Sequence, residues 1–152
     1  MHSKFLIRPA ETGDLETIVE FNFQLAHETE SRQLYRSTLT DGVRQLMLKP
    51  ERGRYYVAVH DGAVVGQVMH THEWSDWRNG DIWWLQSVYV HPDFRRRGAF
   101  RQMFEHVTQI ARDSEDVVAI RLYMERDNNG AQATYTDLGF KDPGYKVFEI
   151  EF

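Results

Sequence analysis

The stretch Val88-Tyr89-Val90-His91-Pro92-Asp93-Phe94-Arg95-Arg96-Arg97-Gly98-Ala99-Phe100-Arg101 decides the fold. The apolar, aromatic run from Ile82 to Val90 has strand length and ends at His91-Pro92, where proline removes a ladder donor. Past a turn carrying three arginines and a glycine, Phe100, Met103, Phe104, Val107, Ile110 and Ala111 recur at helical spacing. Val117 to Met124 then returns to strand character, and strand, crossover helix and strand in that order form a right-handed parallel unit. In physical terms the turn is an anion site. The first helical N–H groups lack intrahelical partners and sit at the positive end of the macrodipole, Gly98 allows close approach to the backbone, and the arginines add full charge. Spacing alone fits a solvated basic turn equally well. Three cations at a helix N-terminus oppose the dipole, however, unless an anion normally neutralises them.

Working outward, Lys4 to Arg8 reads as a short strand stopped by Pro9, followed by a helix capped by Thr12 or Asp14 with Leu15, Ile18, Phe21 and Leu25 on one face. A second helix is expected from about Thr40, with Val43, Leu46 and Met47 inward and Lys49-Pro50 closing it. Arg54 to His60, the Asp61-Gly62 turn and Ala63 to Trp74 form a hairpin, and Ser75 to Asp81 has the composition of a loop. The last third supplies a helix from Asn129 to Leu138, stopped at Gly139, and then one or two strands toward Phe152. The order β-α-α-β-β-β-α-β-α-β defines an α/β (α+β) domain with a mixed central sheet and helices on both faces.

Composition narrows the function. The 152 residues suit a single domain over 1–152 with its own core. With no cysteine there is no disulfide framework, no thiolate metal site and no covalent cysteine intermediate. Net charge is −5, and without the arginines at 95, 96, 97 and 101 the remaining 14 basic residues face 23 acidic ones, a balance of −9. The cationic turn therefore stands out against an acidic surface, which disfavours nucleic acid as a partner. No apolar run of signal-peptide or membrane-spanning length occurs, so the sequence reads as cytoplasmic, with no membrane partner.

Val88, Val90, Pro92, Arg95 and Gly98 stand in the register V-x-V-x-P-x-x-[R/Q]-x-x-G-x-[G/A], which resembles motif A of the GNAT N-acetyltransferase superfamily. Phe100 departs from it, standing where a second small residue is usual; it is expected on the apolar face of its helix. Asn128, Ala131, Tyr135, Gly139 and Phe140 match a second motif, N-x-x-A-x-x-x-Y-x-x-x-G-F. With Ile7-Arg8-Pro9-Ala10 and the helix-helix-hairpin order, the resemblance covers essentially the whole chain and implies the GNAT fold, with its central parallel strands splayed apart.

The resemblance also implies roles. Acetyl-CoA would lie in the splayed cleft, with the main chain at Val88, Tyr89 and Val90 pairing with pantetheine. The amides from Arg95 through Arg96, Arg97, Gly98, Ala99 and Phe100 to Arg101 would line the pyrophosphate site. Asn128 would bond the pantetheine arm, although an asparagine there serves equally as a helix cap. Tyr135 would be the general acid that protonates the departing thiolate, since a phenol with a pKa near ~10 is still protonated at neutral pH. Packing in the core with a satisfied hydroxyl is its competing role. The activity implied is acetyl transfer from acetyl-CoA directly to a primary amine of a small molecule or peptide. The competing class is an acyl-CoA-binding or regulatory module that has lost catalysis. Relatives often dimerise, so a homodimer is an expected assembly.

The base is not marked. Many relatives carry a glutamate on the motif A strand where Gln86 stands here, and an amide cannot accept the ammonium proton, so loss through water is the expected route. Glu28, Glu30, Glu73 and Asp81 each read primarily as solvated acids. His70 and His72 share a strand face and could clamp a metal, but no third ligand is placed, and no metal is expected. The tryptophans at 74, 77, 83 and 84 read as core or interface residues.

Overall fold

Pro9 closes the first strand, β1 (Leu6–Pro9), of a computed structural model that describes residues 4–152. Then come α1 (Leu15–Glu30), α2 (Arg36–Leu48), β2 (Gly53–His60), β3 (Ala63–Ser75), β4 (Gly80–Val90), α3 (Ala99–Asp113), β5 (Val117–Leu122) and α4 (Asn129–Asp137). The chain groups into two compact units, Met1–Leu122 and Tyr123–Phe152.

In the first unit five strands form one mixed sheet in the order β1-β2-β3-β4-β5. Every neighbouring pair is antiparallel except β4 and β5, which run parallel on either side of α3 as the crossover pattern requires. Adjacent residues of β2 point to opposite faces, which separates two cores. On one face Tyr55, Val57 and Met69 pack with Ile18 and Val19 of α1 and Val43 of α2. On the other, Tyr56 meets His106 of α3, and Gly66 lies under Met103. Ala99, Met103, Val107 and Ala111, four residues apart, form the buried line of α3. Full burial of Met103 and Val107 contributes roughly 1.5–3 kcal/mol each. Phe100 is half-buried on the flank of that line, its ring 6.3 Å from Phe104, rather than at its centre.

Several expectations are corrected. Helix α2 begins at Arg36, earlier than Thr40, because its first turns are polar and carry no apolar period. The expected loop Ser75–Asp81 narrows to a turn over 76–79, because Ser75, Gly80 and Asp81 join a long β3–β4 hairpin in which Trp74 pairs with Asp81 and Ser75 with Gly80. Asp14 precedes α1 but its carboxylate does not cap it. It accepts two bonds from Arg8, at 2.7 and 3.1 Å, and one from the Glu11 amide, and the Arg8 bond holds its pKa below the usual carboxylate range.

In the second unit α4 opens at Asn128, whose Oδ1 accepts the Ala131 amide at 3.0 Å, and closes near Gly139, which has a positive φ of 98°. The strands expected toward Phe152 are not formed: residues 141–152 take part in no ladder. Their alternating sequence suits a strand, but a strand needs a neighbouring edge, and sequence alone does not say which edge receives it.

Candidate functional site

Two backbone hydrogen bonds define the site. The Asp81 amide donates to Asp116 O at 2.7 Å, on the β5 side of β4, whereas the His91 amide donates to Val65 O at 2.8 Å, on the β3 side. Two residues an even number apart in a regular strand face the same way, so one extra residue lies between them. It sits at the register shift opposite Gln67 and Met69, where Ser87 takes a left-handed φ of 51°. Past this bulge Tyr89 faces β3, and the peptide groups of Val88 and Val90 face the β5 side. Pairing between β4 and β5 has already ended, its last partners being Leu85 and Leu122. Val88 and Val90 therefore turn backbone groups to a side of β4 that β5, ending at Leu122, no longer pairs, and of these the Val90 carbonyl is taken by Arg95.

A buried polar chain fixes the bulge. Gln67, fully buried, donates its Nε2 to Ser87 O at 3.0 Å and to Asn22 Oδ1 at 3.1 Å, and Asn22 donates to the Tyr55 hydroxyl at 3.3 Å. Burial pushes the Tyr55 pKa up, keeping the phenol neutral. The amide oxygen of Gln67 has no partner, a cost accepted for holding an irregular strand. None of these four residues was expected to matter. The one available signal was a glutamine inside the apolar run Val64-Val65-Gly66-Gln67-Val68-Met69.

The basic turn follows directly. Arg96 has a left-handed φ of 63° and Gly98 one of 88°, so the chain coils tightly before α3, whose N-terminus has no side-chain cap. The first amides of α3 are left to a ligand or water, as an anion site requires. The arginines divide the work. Arg95 donates Nε to Val90 O at 2.8 Å and Nη2 to Glu28 at 2.8 Å, and its guanidinium lies 5.3 Å from the Tyr89 ring. Tyr89 donates to the other Glu28 oxygen at 3.3 Å, and burial, then the Glu28 charge, raise its pKa. Arg97 stacks over Phe94 at 5.1 Å, while Arg96 and Arg101 are exposed.

On the α1 and α2 side of the sheet Gln86 donates to Thr71 Oγ1 at 2.6 Å. Glu73 accepts from Trp84 Nε1 at 3.2 Å and from Arg121 at 3.5 Å, and so is more than a solvated acid. His70 and His72 do share a face, but their ring nitrogens, 3.2 Å apart, are turned toward each other. The His70 ring lies flat on buried Trp83 at 3.8 Å, and burial, reinforced by His72 and Arg54, lowers its pKa to about 3. Among the described residues no group of three or more histidines, carboxylates or cysteines is placed to hold a metal. Trp83 is core, Trp84 is half-buried, and Trp74 and Trp77 are exposed.

In the second unit Tyr135 is half-buried beside Phe140, the ring centroids 5.9 Å apart, and burial raises its pKa. Asn128 is the cap of α4.

Solved structures with this architecture include a possible acetyltransferase from Clostridium difficile 630, 43% identical, with a TM-score of 0.92 over 99% of both chains. The protein AAC(6')-Iy, solved in complex with the bisubstrate analogue CoA-S-monomethyl-acetylneamine, matches at a TM-score of 0.81 and 17% identity over 99% of both chains. A predicted acetyltransferase with acetyl-CoA from Clostridium acetobutylicum matches at 0.78 and 15% identity, over 97% of this chain and 96% of its own. At such identities these last two share the fold alone. A search of curated proteins finds no match. The family described as Acetyltransferase (GNAT) family matches residues 15–140, and the chain, whose β4 runs through a tight turn into an uncapped helix, belongs to that family.

Proposed function

We propose that the protein transfers the acetyl group of acetyl-CoA directly to a primary amine of a small molecule or peptide. The observation that carries this reading is the open edge at Val88 and Val90, continuous through a tightly coiled turn with the bare N-terminus of α3. Extended backbone suits the amide-containing pantetheine arm, and the amides from Arg96 to Arg101 suit a pyrophosphate. Because main-chain groups do this holding, the side chain of Phe100 is compatible with it.

Acetyl-CoA brings the activated acyl group; the protein manages protons and orientation. The substrate ammonium loses a proton to water, its nitrogen bonds to the thioester carbonyl carbon, and the C–S bond breaks as the nitrogen sheds its second proton and the sulfur gains one. The proton for sulfur comes from Tyr135, whose raised pKa keeps it protonated at neutral pH. A chain without cysteine forms no thiol-linked acetyl-enzyme, consistent with direct attack. The acidic balance of the chain outside the basic turn favours a cationic acceptor, and the cytoplasm, where acetyl-CoA is made available, is the compartment this reading requires.

Replacing Tyr135 with Phe is expected to lower kcat by about 100-fold or more while leaving the Kd for CoA unchanged. Undiminished turnover would remove Tyr135 as the acid. Release of free thiol across a panel of primary amines tests the reaction itself. CoA binding with no release under any acceptor would reassign the chain as an acyl-CoA-binding module.

A further inference from the structure

Arg54 of β2 stands opposite His70 of β3, and because side chains alternate along a strand, Arg54, Tyr56, His70 and His72 share the face on which Tyr56 meets α3. His70 is the fixed member of this group. It is 4% exposed, its ring lies flat on Trp83 at 3.8 Å, and the Tyr56 ring stacks beside it at 5.7 Å. Its Nδ1 is 3.2 Å from His72 Nε2, while its own Nε2 is buried without a partner. A buried nitrogen left in that state calls for a reason. Burial, reinforced by His72 and Arg54, lowers the His70 pKa, so the ring stays neutral and keeps a lone pair to offer. When His72 carries protons on both nitrogens, its Nε2 donates to His70 Nδ1, the His70 proton sits on Nε2, and His72 Nδ1–H is left for a ligand.

The charges around this pair are of one sign. Arg54 and His72 are exposed, and the positive charge of Arg54 reaches both the Tyr56 phenol and His70. His72 is its diagonal neighbour across the two strands, within reach of a long side chain. His106 of α3 lies half-buried against Tyr56, the ring centroids 5.7 Å apart. Among the described residues no carboxylate forms an ion pair with Arg54, His70, His72 or His106. Elsewhere the same residue types are answered by acids: Arg8 by Asp14, Arg95 by Glu28, His60 by Asp61 and His91 by Asp93. In a chain of net charge −5 this local excess is the footprint of an anion.

We propose that Arg54 and His72, the second oriented by His70, bind a small dianionic oxyanion of the phosphate or sulfate type. The guanidinium offers a planar fork of donors and the imidazolium one directed N–H, which together reach more than one oxygen of a tetrahedral anion. The site is separate from the basic turn. Trp83, opposite His72, lies seven residues before Val90, roughly 20 Å along β4.

The test is a sulfate titration of the whole chain at mildly acidic pH, where an accessible imidazole takes up a proton, with chloride holding ionic strength constant and the histidine ring resonances as readout. The His72 signals should shift and saturate at millimolar sulfate. Arg54→Gln should weaken this binding by about tenfold or more, since a charge-assisted bond is lost. His70→Phe, which keeps a ring on Trp83 but cannot accept from His72, should weaken it several-fold. The His91 signals report any anion held beside the basic turn and should respond alike in all three proteins. A His72 response that chloride reproduces, or one that is unchanged in Arg54→Gln, means an adventitious ion only and overturns the site. Full affinity in His70→Phe overturns the orienting role of His70. Inorganic phosphate and glycerol phosphate, titrated in parallel, identify the source: tighter binding of the ester upholds the site as one for a phosphate monoester, and equal or weaker binding as one for the inorganic ion.

Discussion

The two halves of β4 are built from one continuous run of sequence and do opposite things. From Asp81 to Leu85 the strand is paired on both sides, with β3 and with β5. From Gln86 to Val90 it keeps only the β3 side. The contrast is not one of composition, since Trp83, Leu85, Val88 and Val90 are all apolar strand formers. One extra residue, Ser87, makes the difference by reversing which peptide groups face the β5 side. The first half is thus paired on both sides, and the second is held from the β3 side alone. Beneath each half β3 places a different polar residue: His70, opposite Leu85, under the paired half, and Gln67, opposite Tyr89, under the open one.

Disturbing the paired half should cost the most stability. A Cβ on Gly80 would lie 2.5 Å from Val118 Cγ1 and 2.8 Å from Asp116 O, and the second of these is backbone that has little freedom to move. Gly80→Ala is therefore expected to destabilise the fold by roughly 2–3 kcal/mol, read by chemical denaturation, with the Kd for CoA of the remaining folded protein nearly unchanged. Loss of CoA affinity ahead of stability would show that the two halves are not separable.

The open half is disturbed through Gln67. Leucine at this position strands two acceptors, part-buried Ser87 O and buried Asn22 Oδ1, while removing an oxygen that already lacks a partner. The net cost should fall at about 1 kcal/mol, the low end of the range for orphaned buried groups. The informative readout is kinetic. If Gln67 positions the edge, KM for acetyl-CoA should rise severalfold with kcat little altered, and Gln67→Glu should restore affinity only at pH values where its carboxyl is protonated and can donate. A variant that loses stability with unchanged KM would reduce Gln67 to a packing residue.

His70 sharpens the comparison through pH. Its pKa lies near 3 in the folded protein and near 6.5 when unfolded, so at neutral pH neither state carries the proton. As pH falls below about 6.5 the unfolded chain binds a proton that the folded one refuses. The fold then loses up to about 1.4 kcal/mol per pH unit until the folded pKa is reached. His70→Phe should flatten that part of the stability profile, whereas Gln67→Leu should leave its slope unaltered. Equal slopes in the wild type and His70→Phe would mean that the imidazole is solvated after all.

How much of this was legible in the sequence follows the same division. Strand, turn and helix around Pro92 and Gly98 were readable because local chemistry dictates them: proline ends a ladder, glycine permits a positive φ, and a 3.6-residue period marks α3. The hairpin at Asp61-Gly62 was readable for the same reason. The bulge was not. Ser87 has no residue type that demands a left-handed backbone, and its conformation is imposed from a distance by Gln67 and Asn22, 20 and 65 residues away along the chain. The pairing of Arg95 with Glu28 was equally hidden, since the two lie 67 residues apart. The C-terminal strands were expected from a pattern that describes what a segment can do, and pattern carries no information about where the neighbouring edge lies.

The smallest effect concerns Arg95, and it separates two roles that the motif alone merges. Its guanidinium already spans Val90 O and Glu28, joining the open half of β4 to the C-terminal turns of α1. The Glu28 pair is partly exposed, with 43% and 35% of the two side chains accessible, so solvent screening keeps its worth below about 1 kcal/mol. Arg95→Ala should consequently lower the melting temperature only slightly. A strut and a phosphate ligand differ in how they respond to lysine. Lysine keeps the charge but not the planar fork that reaches two acceptors at once, so a strut is lost equally in Arg95→Lys and Arg95→Ala, with a CoA affinity reduced a few-fold in both and little dependence on salt. A phosphate ligand would be largely rescued by lysine, and its loss in the alanine variant would deepen at low ionic strength, where the missing charge counts most. Because Nε and Nη2 are already engaged by Val90 O and Glu28, which fixes the plane of the guanidinium, the strut is the expected outcome, which leaves the pyrophosphate to the amides of the turn and to the first turn of α3.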